Sequence, residues 1–129
     1  MIRATAESWG IKPITGKTIT REMNFLLTDE QMKKIEWGHI PDDMGDHWFM
    51  YCDEEYIRYY RSWTGLCVFV ARYEKVENGY KICELTIPND AFREDCDIRF
   101  EKESMLFLHL LMFDCGGDSK RYWDSYINM

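Results

Sequence analysis

The chain has 129 residues, of which 46% are apolar and 30% are charged, and its net charge at neutral pH is −7. This length is typical of one domain with a full apolar core, so we expect a single domain over residues 1–129. The 16 basic residues are scattered among 23 acidic ones, which argues against duplex nucleic acid and anionic membrane as partners.

The sequence indicates a cytoplasmic protein. Its longest apolar run, Met105 to Phe113, is far shorter than the roughly 20 residues of a bilayer span, and Met1 to Gly10 lacks an apolar signal region. The five cysteines are irregularly spaced and form no Cys-x-x-Cys pair. We therefore expect free thiols in a reducing compartment, with no metal and no cofactor.

A strand and a helix are predicted near the N-terminus. Apolar and polar residues alternate from Thr18 to Leu27, which is the period of a half-buried strand. Thr28 and Gln31 have the spacing of a capping box, in which each residue satisfies a backbone amide of the other. A short helix should therefore run from about Asp29 to Trp37.

The middle of the chain predicts an antiparallel meander. Four segments rich in aromatic and β-branched residues are joined by short connections. These segments are His47–Cys52, Tyr56–Trp63, Leu66–Glu74 and Tyr80–Ile87. Asn78-Gly79 is a strong signal for a two-residue hairpin loop, and this loop would pair Arg72 with Leu85 and Val70 with Ile87.

That register assigns two different faces to the last hairpin. One face would be core and would carry Val68, Val70, Val76, Cys83, Leu85 and Ile87. The other face would mix polar and aromatic groups and would carry Phe69, Ala71, Tyr73, Ile82, Glu84 and Thr86. The mixed face could be a partner surface, a ligand cleft or a surface covered by the N-terminal segment.

The C-terminal third predicts the main core helix. Phe100 to Asp114 is apolar on most faces, and Ser119 to Met129 carries aromatic residues at helical spacing. The predicted fold class is therefore α+β, with an antiparallel meander sheet of about 4–5 strands, a main core helix near the C-terminus and a short N-terminal helix.

The segment from Tyr56 to Gly65 is the strongest candidate for ligand binding. Aromatic rings beside guanidinium groups can stack on a base or ribose while arginine holds phosphate. The candidate residues are Tyr56, Arg58, Tyr60, Arg61, Trp63 and Thr64. Because Arg58 and Arg61 are three positions apart, a regular strand would direct them to opposite faces. The alternative is a structural role, with each arginine paired to a local acid.

The candidate catalytic residues are Asp46 and His47, since a neighbouring carboxylate can orient an imidazole for acid–base chemistry. His109 lies inside the apolar helix and is predicted to be a core residue. No nucleophile elbow, phosphate loop or calcium loop is present in the sequence.

Three segments, Trp37–Pro41, Met44–Tyr51 and Tyr56–Gly65, resemble an uncharacterised bacterial domain family. Members of that family occur alone or attached to macrodomain-type and ADP-ribosylglycohydrolase-type proteins. The string Arg61-Ser62-Trp63-Thr64-Gly65 is the most specific part of the resemblance, which covers about Trp37 to Thr86. It implies an accessory role near ADP-ribose or NAD metabolism and transfers no catalytic residue.

Two functions follow as hypotheses. The first is a non-catalytic module that binds a small-molecule ligand or a protein partner, including a second copy of this chain, with a link to ADP-ribosyl chemistry. The second is a small enzyme that uses His47 and Asp46 with Arg58 or Arg61 on a nucleotide-like substrate.

Overall fold

A computed structural model describes residues 2–89 and 96–129, without the side chain of Cys96. This part of the chain has an α+β fold with a five-stranded antiparallel sheet and three helices. The strands are β1 (Thr18–Leu27), β2 (Trp48–Cys52), β3 (Tyr56–Arg61), β4 (Cys67–Val76) and β5 (Gly79–Pro88). The helices are α1 (Asp29–Glu36), α2 (Cys96–Cys115) and α3 (Ser119–Ile127).

The sheet has the strand order β1-β5-β4-β3-β2. Strands β2 to β5 form the predicted meander, and β1 pairs with β5 at the far edge. The predicted strand in the first part of the chain is confirmed from Thr18 to Leu27. The core helix begins at Cys96, four residues before the predicted start at Phe100.

Helix α1 begins with the predicted capping box. Gln31 N donates to Thr28 Oγ1 at 3.1 Å, and Thr28 N donates to Gln31 Oε1 at 2.9 Å. The helix buries Met32 and Ile35 against the sheet. It ends at Glu36, one residue before the predicted end.

The predicted register of the β4–β5 hairpin is wrong. Val76 pairs with Gly79, so the two-residue loop is Glu77-Asn78 and not Asn78-Gly79. Asn78 takes the left-handed φ of 68° that the loop needs. A β-carbon on Gly79 would lie 2.2 Å from the carbonyl oxygen of Leu27, so this glycine is required for close packing of the hairpin on the end of β1.

An irregularity between Arg72 and Tyr73 shifts the pairing again, so that Arg72 pairs with Glu84 and Val70 with Thr86. A shift of one residue moves a side chain to the other face of a sheet. Phe69 and Tyr73, expected on the mixed face, are therefore in the core, whereas Val70 lies on the opposite face.

The main core lies between the sheet and the helices. Its fully buried large side chains are Met32, Ile35, Met50, Ile57, Tyr59, Phe69, Ile82, Leu85, Ile87, Phe107 and Leu111. Burial of these side chains supplies most of the hydrophobic stabilisation, at roughly 25 cal/mol per Å² of apolar surface.

A smaller apolar cluster lies on the other face of the sheet. Phe49 and Tyr60 are buried there, and residues 4–14 of the N-terminal segment pack over them. Lys12 N donates to Gly65 O at 2.8 Å, and Ala4 N donates to Trp37 O at 2.9 Å. The N-terminal segment therefore covers the sheet face opposite α2, on which Val70 lies. The face that was predicted to be mixed, with Phe69 and Tyr73, packs in the main core instead.

Among residues 2–89 and 96–129, no helix is long and apolar enough to cross a membrane.

Candidate functional site

All three histidines of the chain line one cavity between the end of the sheet and α2. The cavity has a volume of about 240 Å³. Its lining residues are His39, Gly45, Asp46, His47, Trp48, Tyr59, His109, Leu110, Phe113 and Asp114. We call it the histidine cavity. A concave site with convergent polar groups and a strongly shifted pKa is the usual signature of a binding or active site.

His39 lies between two carboxylates. Its Nε2 is 2.6 Å from Asp46 Oδ2, and its Nδ1 is 3.0 Å from Asp114 Oδ1. The hydrogen bond to Asp114 is the largest cause that raises the pKa of His39, to about 9, and the bond to Asp46 and the negative charges of both acids add to it against the opposing effect of burial. The ring is therefore an imidazolium at neutral pH and donates from both nitrogens.

Asp114 connects this imidazolium to the buried core. Its Oδ2 accepts a hydrogen bond of 2.6 Å from the Tyr59 hydroxyl. The side chain of Asp114 is only 8% exposed, and Tyr59 is fully buried, which raises the pKa of that phenol well above its usual value. A buried carboxylate is stable only when it is paired in this way.

The positions of these groups follow from the backbone around them. His39 exchanges two backbone hydrogen bonds of 2.9 Å with Met50 of β2, just after α1 has ended. A β-carbon on Gly38, which has a φ of +76°, would lie 2.5 Å from the carbonyl oxygen of Met50. Asp114 comes from the last turn of α2, and Tyr59 from the centre of β3.

The closed bonding of His39 limits its chemistry. A general base needs a nitrogen lone pair, but both ring nitrogens of His39 are donors to carboxylates. His39 therefore acts as a fixed cation that holds Asp46 and Asp114 in place.

Unlike His39, the rings of His109 and His47 are not bonded to a carboxylate of any residue that the structure describes. His109 Nδ1 lies 2.9 Å from the carbonyl oxygen of Ser119, which can only accept. In the neutral ring Nε2 therefore carries the lone pair and can accept a hydrogen bond from a ligand. The exposed ring of His47 lies 6.3 Å from that of Trp63. His109, predicted to be a core residue, is only half-buried: it lines the cavity and its ring lies 5.1 Å from that of Trp123 in α3.

The proposed Asp46–His47 pair does not form in the described structure. The Asp46 carboxylate bonds to His39 and receives a contact of 3.4 Å from Trp48 N. The reason is that neighbouring residues entering a strand point in different directions. Both residues line the cavity, but Asp46 orients His39 instead of its sequence neighbour.

The predicted ligand-binding residues are divided between the two faces of the sheet. The guanidinium of Arg58 bonds to Asp53 Oδ2 at 2.6 Å and lies 4.8 Å from the ring centroid of Tyr56. The guanidinium of Arg61 lies 4.2 Å from the ring centroid of Trp48, on the α2 side. The two arginines are on opposite faces, as their spacing predicts, and cannot hold one phosphate together.

Tyr60 is buried beneath the N-terminal segment, with its ring stacked 5.9 Å from Tyr51. Trp63 and Thr64 lie in the turn after β3, where Trp63 is 68% exposed. The structure does not bring the six predicted residues into one site.

The string Arg61 to Gly65 has a structural role. Ser62 Oγ donates to Asp46 O at 2.8 Å, Trp63 Nε1 donates to Met44 O at 3.1 Å, and Leu66 N donates to Thr64 Oγ1 at 3.2 Å. The first two bonds fix residues 44–46, which border the histidine cavity, against the β3–β4 turn, and the third lies within the turn.

Sequence reasoning missed His39, Asp114 and Tyr59 as parts of one site. His39 and Asp114 are 75 positions apart, and no spacing pattern links them. Among the described residues, no group of three or more His, Cys, Asp or Glu side chains has an arrangement that could hold a metal ion.

Comparisons with protein-family models, with curated proteins and with solved structures give no match to this chain. The resemblance to a domain attached to macrodomain-type proteins therefore stays a prediction.

Proposed function

We propose that this chain is a non-catalytic module that binds a small polar ligand in the histidine cavity. The observation that carries the proposal is the closed Asp46–His39–Asp114 network. It pairs His39 with Asp46 and Asp114, which builds a rigid polar wall and leaves none of these three groups free to act as an acid or base. A rigid wall lowers the entropic cost of binding a ligand.

The ligand class follows from the groups that remain available. His47 and His109 can exchange hydrogen bonds with hydroxyl or amino groups, and exposed Phe113 offers an apolar surface. About 240 Å³ is below the usual range of roughly 300–1,000 Å³ for ligand pockets, so the cavity fits one ring of a larger ligand. A ribose or base of ADP-ribose or NAD has this size, and the resemblance supports the same class.

The proposal places the module in the cytoplasm. Its support is that Cys52, Cys67, Cys83 and Cys115 are free thiols in the described structure, as is usual in reducing compartments.

The test is a thermal-shift measurement with ADP-ribose, NAD, AMP and ribose 5-phosphate. A ligand that binds only the folded state raises the melting temperature with its concentration. We expect a rise for the wild type and a smaller rise for His109→Ala and His47→Ala. Arg58→Ala is the matched control, because Arg58 lies on the other sheet face, and it should respond as the wild type does.

A rise that is lost in Arg58→Ala and kept in His109→Ala would transfer the site to the face covered by the N-terminal segment. No rise with any of these four compounds would contradict the ligand class.

A second candidate function is a small enzyme that acts on a nucleotide-like substrate. The observation that favours it is the His109 tautomer, since the Ser119 carbonyl leaves Nε2 as the base of the neutral ring. Of the two candidate arginines, Arg58 and Arg61, it is Arg61 that lies on the α2 side of the sheet, with its guanidinium over the ring of Trp48. Conversion of NAD or ADP-ribose that is lost in His109→Gln would establish this function.

A further inference from the structure

A second cavity lies at the end of the sheet where the N-terminal segment meets the loop before β2. Its volume is about 390 Å³. Its lining residues are Trp9, Pro41, Asp42, Asp43, Met44, Ser62 and Trp63. We call it the tryptophan cleft. It shares no lining residue with the histidine cavity.

The N–H group of each indole ring in the cleft donates a hydrogen bond that fixes the ring. Trp9 Nε1 donates to Ser62 O at 2.9 Å, and Trp63 Nε1 donates to Met44 O at 3.1 Å. Trp9 also stacks on the buried ring of Phe49, with ring centroids 6.1 Å apart. The rings are thus held in place without a ligand, so little conformational freedom is left to lose on binding.

Core packing accounts for Trp9, which stacks on Phe49, but not for Trp63 and Met44. Trp63 is 68% exposed and Met44 is 75% exposed, although both are large and apolar. An exposed tryptophan whose N–H is already bonded offers the π face of its ring to a ligand.

The charged side chains that line the cleft are acidic. Asp42 and Asp43 are exposed acids in its wall, and none of the described residues that line it is a lysine or arginine. Asp43 Oδ1 accepts from Gly45 N at 2.8 Å and from Asp46 N at 3.1 Å, which fixes this loop. A cation would be attracted both by the carboxylates and by the two indole rings.

We propose that the tryptophan cleft binds the quaternary ammonium group of a small organic cation. A primary ammonium is strongly hydrated and needs several hydrogen-bond acceptors, whereas a trimethylammonium group has an apolar surface that suits the rings of Trp9 and Trp63. The remaining volume accommodates a short neutral or polar chain attached to it. The cleft borders the histidine cavity, since the ring of Trp63 lies 6.3 Å from that of His47, but the proposal does not rest on nucleotide binding there.

The test uses choline and its neutral carbon analogue, in which a tert-butyl group replaces the trimethylammonium group. The two probes have the same shape and differ in charge. In isotope-labelled protein, the indole N–H signals of Trp9 and Trp63 should shift saturably with choline, while those of Trp37 and Trp123 stay in place. The neutral analogue should bind at least about tenfold more weakly. Equal binding of both probes, or no shift with choline, would overturn the proposal.

Variants separate the two attractive contributions. Trp63→Leu should weaken choline binding about tenfold, and Asp42→Asn about threefold. Trp37→Leu is the matched control, since Trp37 is an exposed tryptophan outside the cleft, and it should bind as the wild type does. Unchanged affinity in both Trp63→Leu and Asp42→Asn would contradict the proposal, and Asp42→Asn remains decisive alone if Trp63→Leu does not fold.

Discussion

At the scale of single residues, the environment of His39 is unusual because its imidazole lies between two carboxylates. Its ring joins two acids from distant parts of the chain, Asp46 in the loop before β2 and Asp114 at the end of α2. No sequence motif and no regular spacing between Asp46 and Asp114 predicts this contact. Among the histidines, sequence reasoning identified only His47 as a candidate site residue, and the packing of α2 on the sheet brings it into one cavity with His39 and His109.

His39 should make stability depend on pH. Because its folded-state pKa of about 9 is above the unfolded value of about 6.5, its contribution is fully present below pH 6.5 and is lost as the pH rises to about 9. The difference corresponds to on the order of 3 kcal/mol. Unfolding free energies of wild type and His39→Gln, measured from pH 6 to 10, should converge over this range.

His47→Gln is the matched control for this measurement, because His47 is exposed and has no carboxylate partner in the described structure. The convergence over the alkaline range should therefore be a consequence of losing the contacts of His39 with Asp46 and Asp114. A constant difference for His39→Gln would show that its imidazolium is not stabilised by Asp46 and Asp114.

At the scale of elements, local patterns predicted what depends on local chemistry. β1 and α1 were predicted within one residue, since alternation and a capping box are contained in the sequence itself. The β4–β5 register was not predictable in this way. The irregularity at Arg72/Tyr73 and the packing of Gly79 on Leu27 are set by neighbouring strands.

The capping box at Thr28 gives a stability prediction. Thr28→Ala removes the acceptor for Gln31 N and should lower the free energy of unfolding by about 0.5–2 kcal/mol. Thr28→Ser keeps the hydroxyl and should recover most of this loss in urea unfolding. Equal stabilities of Thr28→Ala and the wild type would contradict the role of the cap.

The turn after β3 gives a second prediction. Gly65 has a φ of +74°, and a β-carbon there would lie 2.1 Å from the carbonyl oxygen of Gly10. Gly65→Ala should therefore destabilise the fold by at least about 2 kcal/mol. Gly10→Ala has no atom within 4 Å of the new carbon and should change stability by no more than about 0.5 kcal/mol. Similar urea midpoints for the two variants would be inconsistent with this packing.

At the scale of the whole molecule, the reactivity of the cysteine thiols depends on how deeply they are buried. Desolvation is the main cause that raises the pKa values of Cys52 and Cys67, each to about 11, so both thiols should react slowly in the folded protein. A thiol titration should give a slow native reaction and five thiols after denaturation, including Cys96, whose side chain is outside the described residues. A titre well below five, or stoichiometric zinc, would contradict free thiols.

The two sheet faces have different roles in the whole molecule. α2 and α3 cover one face and leave the histidine cavity at its end, whereas the N-terminal segment covers the other face and completes the tryptophan cleft. The segment Tyr56 to Gly65, predicted to bind a ligand, therefore contributes side chains to both sheet faces. Its aromatic and arginine residues do not form a single ligand site.

The most direct test of ligand binding in the histidine cavity is a titration of histidine-labelled protein with ADP-ribose, followed by NMR of the three imidazole rings. We predict that the His47 and His109 signals shift saturably, that His39 remains an imidazolium, and that ADP-ribose is recovered unchanged. Histidine signals that do not respond to ADP-ribose, or conversion of the nucleotide during the titration, would contradict non-catalytic binding at this site.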